Sequence, residues 1–147
     1  MKATPKMTPT EFLAWTISVK NEFPHWLEVT KIQEIRGVMP DLPDIPTGGT
    51  KAEIEAVEKE REKLLREQGL KNFWRIIDAA ADEHAADTVR LIAALCGVAP
   101  DEADNHTMGE YMEVLNDTLS DVETIRFFSL FLKLEKSLGL IVQKRLA

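Results

Sequence analysis

The chain has 147 residues, 44% hydrophobic and 29% charged, which suits one globular domain or a domain with an appendage and excludes a disordered chain. Its single cysteine excludes an internal disulfide and the paired-cysteine zinc motifs, and no run of ~18 uncharged apolar residues exists to cross a membrane. The net charge of −7 is uneven: residues 73–123 hold twelve acids against Arg75 and Arg90, a stretch that repels phosphate backbones and argues against nucleic-acid binding, whereas residues 124–147 hold five basic residues against Glu135 alone.

The first residues, MKATPKMTPTEF, have no apolar run behind their lysines. That argues against a signal peptide and, with the lone cysteine, for a cytoplasmic setting. Thr8-Pro9-Thr10-Glu11 reads as a capping box with proline at the first helical position. The helix it opens presents Phe12, Trp15 and Val19 on one face, with Leu13 and Ile17 alongside. Pro24 is expected to interrupt it, and a second helical segment, residues 25–36, carries Trp26, Val29 and Ile32. Residues 1–36 form an N-terminal helical segment on this reading. Residues 37–50, GVMPDLPDIPTGGT, hold three prolines and three glycines without periodicity and read as a linker. The GGTK at 48–51 lacks the spacing and the preceding strand of a phosphate loop.

Thr50-x-x-Glu53 is a second capping box. It opens a charged helical arm over residues 51–69, with a thin apolar stripe of Ile54, Val57, Leu64 and Leu65 and an expected end near Gly69. Glu55–Lys59 and Glu62–Arg66 are favourable i,i+4 pairs. Residues 70–147 are expected to form a C-terminal helical bundle. The run from Asn72 to Gly97 is too long for one helix: Asp87 is a candidate cap for a second, small alanines at 79–81 and 85–86 suit close packing, and Gly97 stops it. Thr107-x-x-Glu110 opens the next helix, and Ser120-x-x-Glu123 is expected to open the last. No strand-like alternation occurs. The expected fold is all-α, a small bundle of about five to seven helices with a charged helical arm.

The stretch CGVAPDEADNHTMGEY, residues 96–111, carries the letters D-E-A-D and a potential ligand set of Cys96, Asp101, Asp104 and His106. The helicase chemistry of those letters also needs a phosphate loop and a parallel sheet, which are absent. Zinc sites use short C-x-x-C or H-x-x-x-H spacings, and calcium loops use acids at alternate positions around a glycine; neither pattern is present. A nucleophile–base pair can be drawn from Cys96 to His106 or His84, but Cys96 lies on the apolar run LIAALCG, where a buried, inert thiol is the common outcome. The stretch reads as a solvated loop whose acids precede a helix N-terminus. The expectation is a protein without catalytic residues, metal or cofactor.

The C-terminal helix is the most informative segment. Val122, Ile125, Phe128 and Leu132 make one apolar stripe; Phe127, Phe131, Leu134, Leu138 and Ile141 make a second, displaced around the helix. Lys133, Glu135 and Lys136 rule out a membrane span. Two faces imply either burial between layers or one face in the core and one against a partner.

Residues 72–131 resemble the tail assembly chaperones of long-tailed bacteriophages and prophages. The likeness lies in a helix pair ending in LIAALCGV, an acidic loop APDEADN, a TMGEYMEVLND helix and the segment DVETIRFFSLF. It covers a little under half of the chain and includes no catalytic signature. The resemblance implies a non-enzymatic cytoplasmic protein that coats the tape measure protein and keeps it soluble during tail assembly. On that reading Phe127, Phe131, Leu134, Leu138 and Ile141 form the face for apolar helices, and Met108 and Met112 add an adaptable surface. Self-association is compatible with it. The alternatives are a tail or neck component retained in the virion, and a small metal-dependent enzyme built on Cys96, Asp101, Asp104 and His106.

Overall fold

The computed structural model describes residues 1–146, with side chains described for residues 1–134 and 136–138. The fold is all-α. Six α-helices run in order: α1 (Pro9–Thr30), α2 (Ile32–Arg36), α3 (Lys51–Ile77), α4 (Ala85–Leu95), α5 (Met108–Leu119) and α6 (Val122–Leu146). Short 3-10 turns cover Thr4–Lys6 and Pro100–Asn105, and a π-helical turn covers Asp78–Glu83; no strand occurs among the described residues. Contacts divide the chain into two units, residues 1–22 with 89–147, and residues 23–88. This division follows tertiary contact, whereas the four segments read from composition follow texture along the chain.

The caps explain most helix starts. At α1 the Glu11 amide donates to Thr8 Oγ1 at 3.2 Å and the Thr8 amide donates to Glu11 Oε1 at 3.1 Å. At α3 the Glu53 amide donates to Thr50 Oγ1 at 3.2 Å and the Thr50 amide to Glu53 Oε2 at 3.3 Å. At α5 the Glu110 amide donates to Thr107 Oγ1. Each box satisfies donors that a helix leaves orphaned. The last helix corrects the sequence reading: its cap is Asp121, not Ser120. The Thr124 amide donates to Asp121 Oδ2 at 3.3 Å, and Ser120 instead closes α5. The carboxylate wins because it also accepts from the Thr124 hydroxyl at 2.6 Å, a charge-assisted bond that serine cannot match.

Three predicted breaks also move. α1 runs through Pro24. An interior proline costs ~3 kcal/mol, but Lys20, whose carbonyl loses its partner, is exposed and open to water, and Trp15 and Trp26 anchor the helix on either side. The break falls at Lys31 instead, which adopts a left-handed φ of 56°. α3 runs through Gly69 to Ile77, spanned by the Gln68 side chain donating to Asn72 Oδ1 at 2.8 Å. Asp87 lies within the first turn of α4 and does not cap it. The interruption is the π turn before it, closed by the His84 amide donating to the Ala79 carbonyl at 2.9 Å.

In the first unit the core is Ala93, Cys96, Val98, Ala103 and Tyr111, with Val89, Ile92, Val114 and Leu115 packed around it. Gly97, at a φ of 71°, ends α4 in a left-handed turn that lets the Val98 amide reach back to the Ala93 carbonyl at 2.8 Å. A buried polar knot ties the N-terminal segment to α5 and α6: the Thr4 amide donates to Thr118 Oγ1 at 3.2 Å, and the Thr4 and Thr124 hydroxyls share a 2.8 Å hydrogen bond.

In the second unit, the half-buried residues of α3 (Ile54, Val57, Arg61, Leu64, Gln68, Asn72 and Ile76) recur at three- and four-residue steps and form its inner face. The segment 37–50 lies along α3 in reverse. Asn72 Nδ2 donates to the Val38 carbonyl at 3.0 Å, and an Arg61 guanidinium N–H donates to the Pro43 carbonyl at 2.8 Å. The register is self-consistent: an extended chain from 38 to 43 covers ~16 Å, and a helix from 61 to 72 covers ~16 Å. Its prolines therefore hold an extended strap against a helix. At the far end, Trp26 Nε1 donates to Thr88 Oγ1 at 2.9 Å, and the Thr88 hydroxyl lies 2.6 Å from the Ala80 carbonyl.

Candidate functional site

The last helix is rooted in the first unit by its first two turns. Thr124 is buried in the polar knot. Phe127 meets Phe12 edge-on with ring centroids 4.9 Å apart, and Phe128 meets Trp15 at 6.0 Å. Beside this root lies an apolar groove of about 690 Å³, walled by Pro5, Met7, Phe12 and Leu13 on one side and Phe127 and Leu130 on the other.

Beyond the root the described side chains of α6, at residues 129–134 and 136–138, are all exposed. Leu130 is 64% exposed, Phe131 59%, Leu132 59%, Leu134 55% and Leu138 54%. Successive helical residues point 100° apart, so Leu130, Leu134, Leu138 and Phe131 share one arc of about 100°, Leu132 stands about 100° beyond it, and Lys136, Lys133 and Ser137 occupy the other side. Both sequence-predicted stripes are open: Val122, Ile125 and Leu132 of the first, and Phe131, Leu134 and Leu138 of the second. Phe127, half-buried, packs against Phe131 with ring centroids 5.6 Å apart and planes tilted by 42°, and joins the groove to the exposed run. Ile141 lies outside the residues whose side chains are described. Met108 and Met112 sit one turn apart on α5, both exposed, flanking the buried Tyr111.

Sequence reasoning missed Leu130 and Leu119, exposed at 64% and 66%. It also missed the outer face of α3, where Leu70, Phe73, Trp74 and Ile77 are all exposed. The signal was available in the i, i+3, i+4, i+7 spacing of those four residues, but an expected helix end at Gly69 cut it off.

The alternative ligand set is scattered. Cys96 is fully buried, its Sγ 3.5 Å from the Tyr111 carbonyl, and desolvation pushes its thiol up to about 11, away from the nucleophilic thiolate. His106 Nδ1 lies 3.1 Å from Glu110 Oε2, the main cause of the lowered pKa of Glu110. Asp101 and Asp104 are exposed on the Pro100–Asn105 turn. Among the described residues no three His, Cys, Asp or Glu side chains come together as a metal site, and no helix is long and apolar enough to cross a membrane.

The exposed apolar residues of α6, the groove at their root, the paired methionines and the outer face of α3 are all open to apolar contact. No protein-family model, no curated protein and no solved structure matches the chain.

Proposed function

We propose that the protein is a non-enzymatic tail assembly chaperone that binds apolar helices of a tape measure protein and keeps that protein soluble while the tail tube assembles. The resemblance of residues 72–131 supplies the family. The observation that carries the reading is the exposed apolar face of α6 formed by Leu130, Phe131, Leu134 and Leu138, with Leu132 exposed beside it. An apolar helical face of that size left in water is matched to an apolar face of another helix. The client fits: a very long apolar helical protein is exposed until its tube exists. The groove beside Phe127 and Leu130 offers a start for such a helix, and Met108 and Met112 offer side chains that re-pack around different sequences. The acidic remainder keeps the complex soluble.

The test is co-expression with the long helical tape measure protein encoded nearby, followed by sizing of the soluble fraction. The expected result is a client soluble only in the presence of this protein. Phe131→Asp and Leu134→Asp should each abolish the effect without loss of helicity, because both side chains are more than half exposed. A client equally soluble with the wild type, with Phe131→Asp and without either would overturn the proposal.

A further inference from the structure

Residues 1–7 cross the ends of three helices in the first unit. The Lys2 amide donates to the Cys96 carbonyl just past the end of α4 at 3.2 Å, and the Thr4 amide donates to Thr118 Oγ1 in the last turn of α5 at 3.2 Å. The Thr4 hydroxyl lies 2.8 Å from the Thr124 hydroxyl in the first turn of α6. The fit over α4 is close: a Cβ at Gly97 would stand 3.3 Å from the Met7 methyl and 3.5 Å from the Lys2 carbonyl oxygen, so glycine there serves the approach as well as its own φ. Ala3 and Thr4 are buried, Met7 is half-buried and Pro5 is exposed.

This stretch builds one wall of the apolar groove: Pro5 and Met7, with Phe12 and Leu13 of α1, line it together with Phe127 and Leu130 of α6. The wall on α6 depends on the same stretch. The root of α6 is held by the ring contacts of Phe127 with Phe12 and of Phe128 with Trp15, and by the bond between Thr124 and Thr4. A helix is a rigid rod, so the point at which Thr124 is held sets where Phe127 and Leu130, three and six residues on, stand. The polar groups at this end are already satisfied. Thr4, Thr124 and Asp121 bond one another, and Glu123 pairs with Arg126 at 2.9 Å. None of them asks for a polar ligand, so the groove suits an apolar occupant. Leu130 belongs both to the groove and to the exposed arc of α6, so a helix laid along the arc meets the groove at one end.

We infer that residues 1–7 belong to the client site: Pro5 forms part of a groove that anchors large apolar side chains of the client helix, and Thr4 is a positioning residue that sets the facing wall through Thr124. The inference rests on the chaperone reading and adds to it the place where a client helix is anchored. Helices that enter grooves present large side chains at i, i+3 or i+4, and i+7. A client segment with that spacing sets one pair of anchors between Pro5 and Leu130 and the rest against Leu134 and Leu138.

The test is a titration of a fluorescent amphipathic peptide, helical and with leucines at i, i+3, i+4 and i+7, with the full chain, followed by anisotropy. The wild type should bind it. Pro5→Asp should weaken binding by at least ~10-fold, since a charge would face apolar side chains in the groove. Pro5 is exposed, and unchanged helicity verifies folding. Thr4→Val removes the hydroxyl that reaches Thr124; it should weaken binding and alter the Phe12–Phe127 ring contact read by NMR, whereas Thr4→Ser should keep both. Tyr111→Phe loses the hydrogen bond to the Ala103 carbonyl in a part of the core that lines none of the groove. It should lower the melting temperature and leave peptide affinity unchanged, which separates positioning from stability. Affinity that simply follows melting temperature across these variants overturns the positioning role of Thr4. Binding that is lost in Phe131→Asp but indifferent to Pro5→Asp overturns the inference and leaves the chaperone reading standing, and a wild type that does not bind the peptide overturns both.

Discussion

The buried threonine at position 118 offers the sharpest test of how the first unit is held together. Thr118 is 1% exposed, and its hydroxyl accepts the amide of Thr4, itself 5% exposed, at 3.2 Å. Thr118→Val keeps the shape and removes the acceptor. The Thr4 amide then stays buried without a partner, which costs ~1–3 kcal/mol, while the added methyl returns up to ~0.8 kcal/mol of apolar burial. The net loss is ~1.5 kcal/mol. With unfolding entropy near ~2.1 cal/mol/K per residue, a chain of this length loses about 5 °C in melting temperature per ~1.5 kcal/mol. Thr118→Ser is the control: it keeps the acceptor and loses a methyl, for ~1 kcal/mol. Hydrogen exchange separates the two. The Thr4 amide should lose its protection in the valine variant and keep it in the serine variant. A valine variant as stable as wild type, with the Thr4 amide still slow, would refute the hydrogen-bond account.

Two further predictions rest on single residues. Gly69→Ala should raise stability by ~0.5–1 kcal/mol in a denaturant titration, because a Cβ there meets nothing within 4 Å and the glycine weakens an otherwise continuous α3; a destabilised variant would mean that the helix does not pass straight through that position. Acid should destabilise the first unit: Glu11 is held down to about 2, first by the Lys2 ammonium and then by the Thr8 amide, and Glu110 and Asp121 are lowered by His106 and Thr124 respectively. Their contribution is complete above the ordinary carboxylate range near 4.5 and is lost as pH falls toward 2, so melting temperature should drop across that window and Glu11→Gln should flatten the drop.

The helical class and three of the four caps were legible because each is local: a threonine, a glutamate three residues on, and an apolar period. Gly97 was legible for the same reason, since a left-handed turn there favours glycine. What escaped was decided by distant partners. Nothing near Lys31 announces a left-handed residue, and nothing in Pro24 announces that packing on either side outweighs a lost hydrogen bond. The strap at 38–43 looked like free linker because its ties, Asn72 and Arg61, lie far along the chain. Asp121 rather than Ser120 is the cap because the Thr124 hydroxyl also donates to its carboxylate, and that hydroxyl is buried against Thr4, remote in sequence. At the candidate site, the two stripes of α6 were visible in the sequence. Their common exposure was not, because periodicity reports which residues share a face and not whether anything covers it.

The exposed apolar run of α6 is one-sided, and that bears on what it can bind. Leu130, Phe131, Leu134 and Leu138 share one arc, with Leu132 apart from it, so one apolar helix laid along the arc covers most of the exposed apolar surface. Lys133, Lys136 and Ser137 lie outside that arc, and Ser137 donates back to the Lys133 carbonyl at 3.0 Å, so no polar group within the face fixes a register. A face without a fixed register accepts many similar apolar helices rather than one, which is the property that the proposed client binding requires.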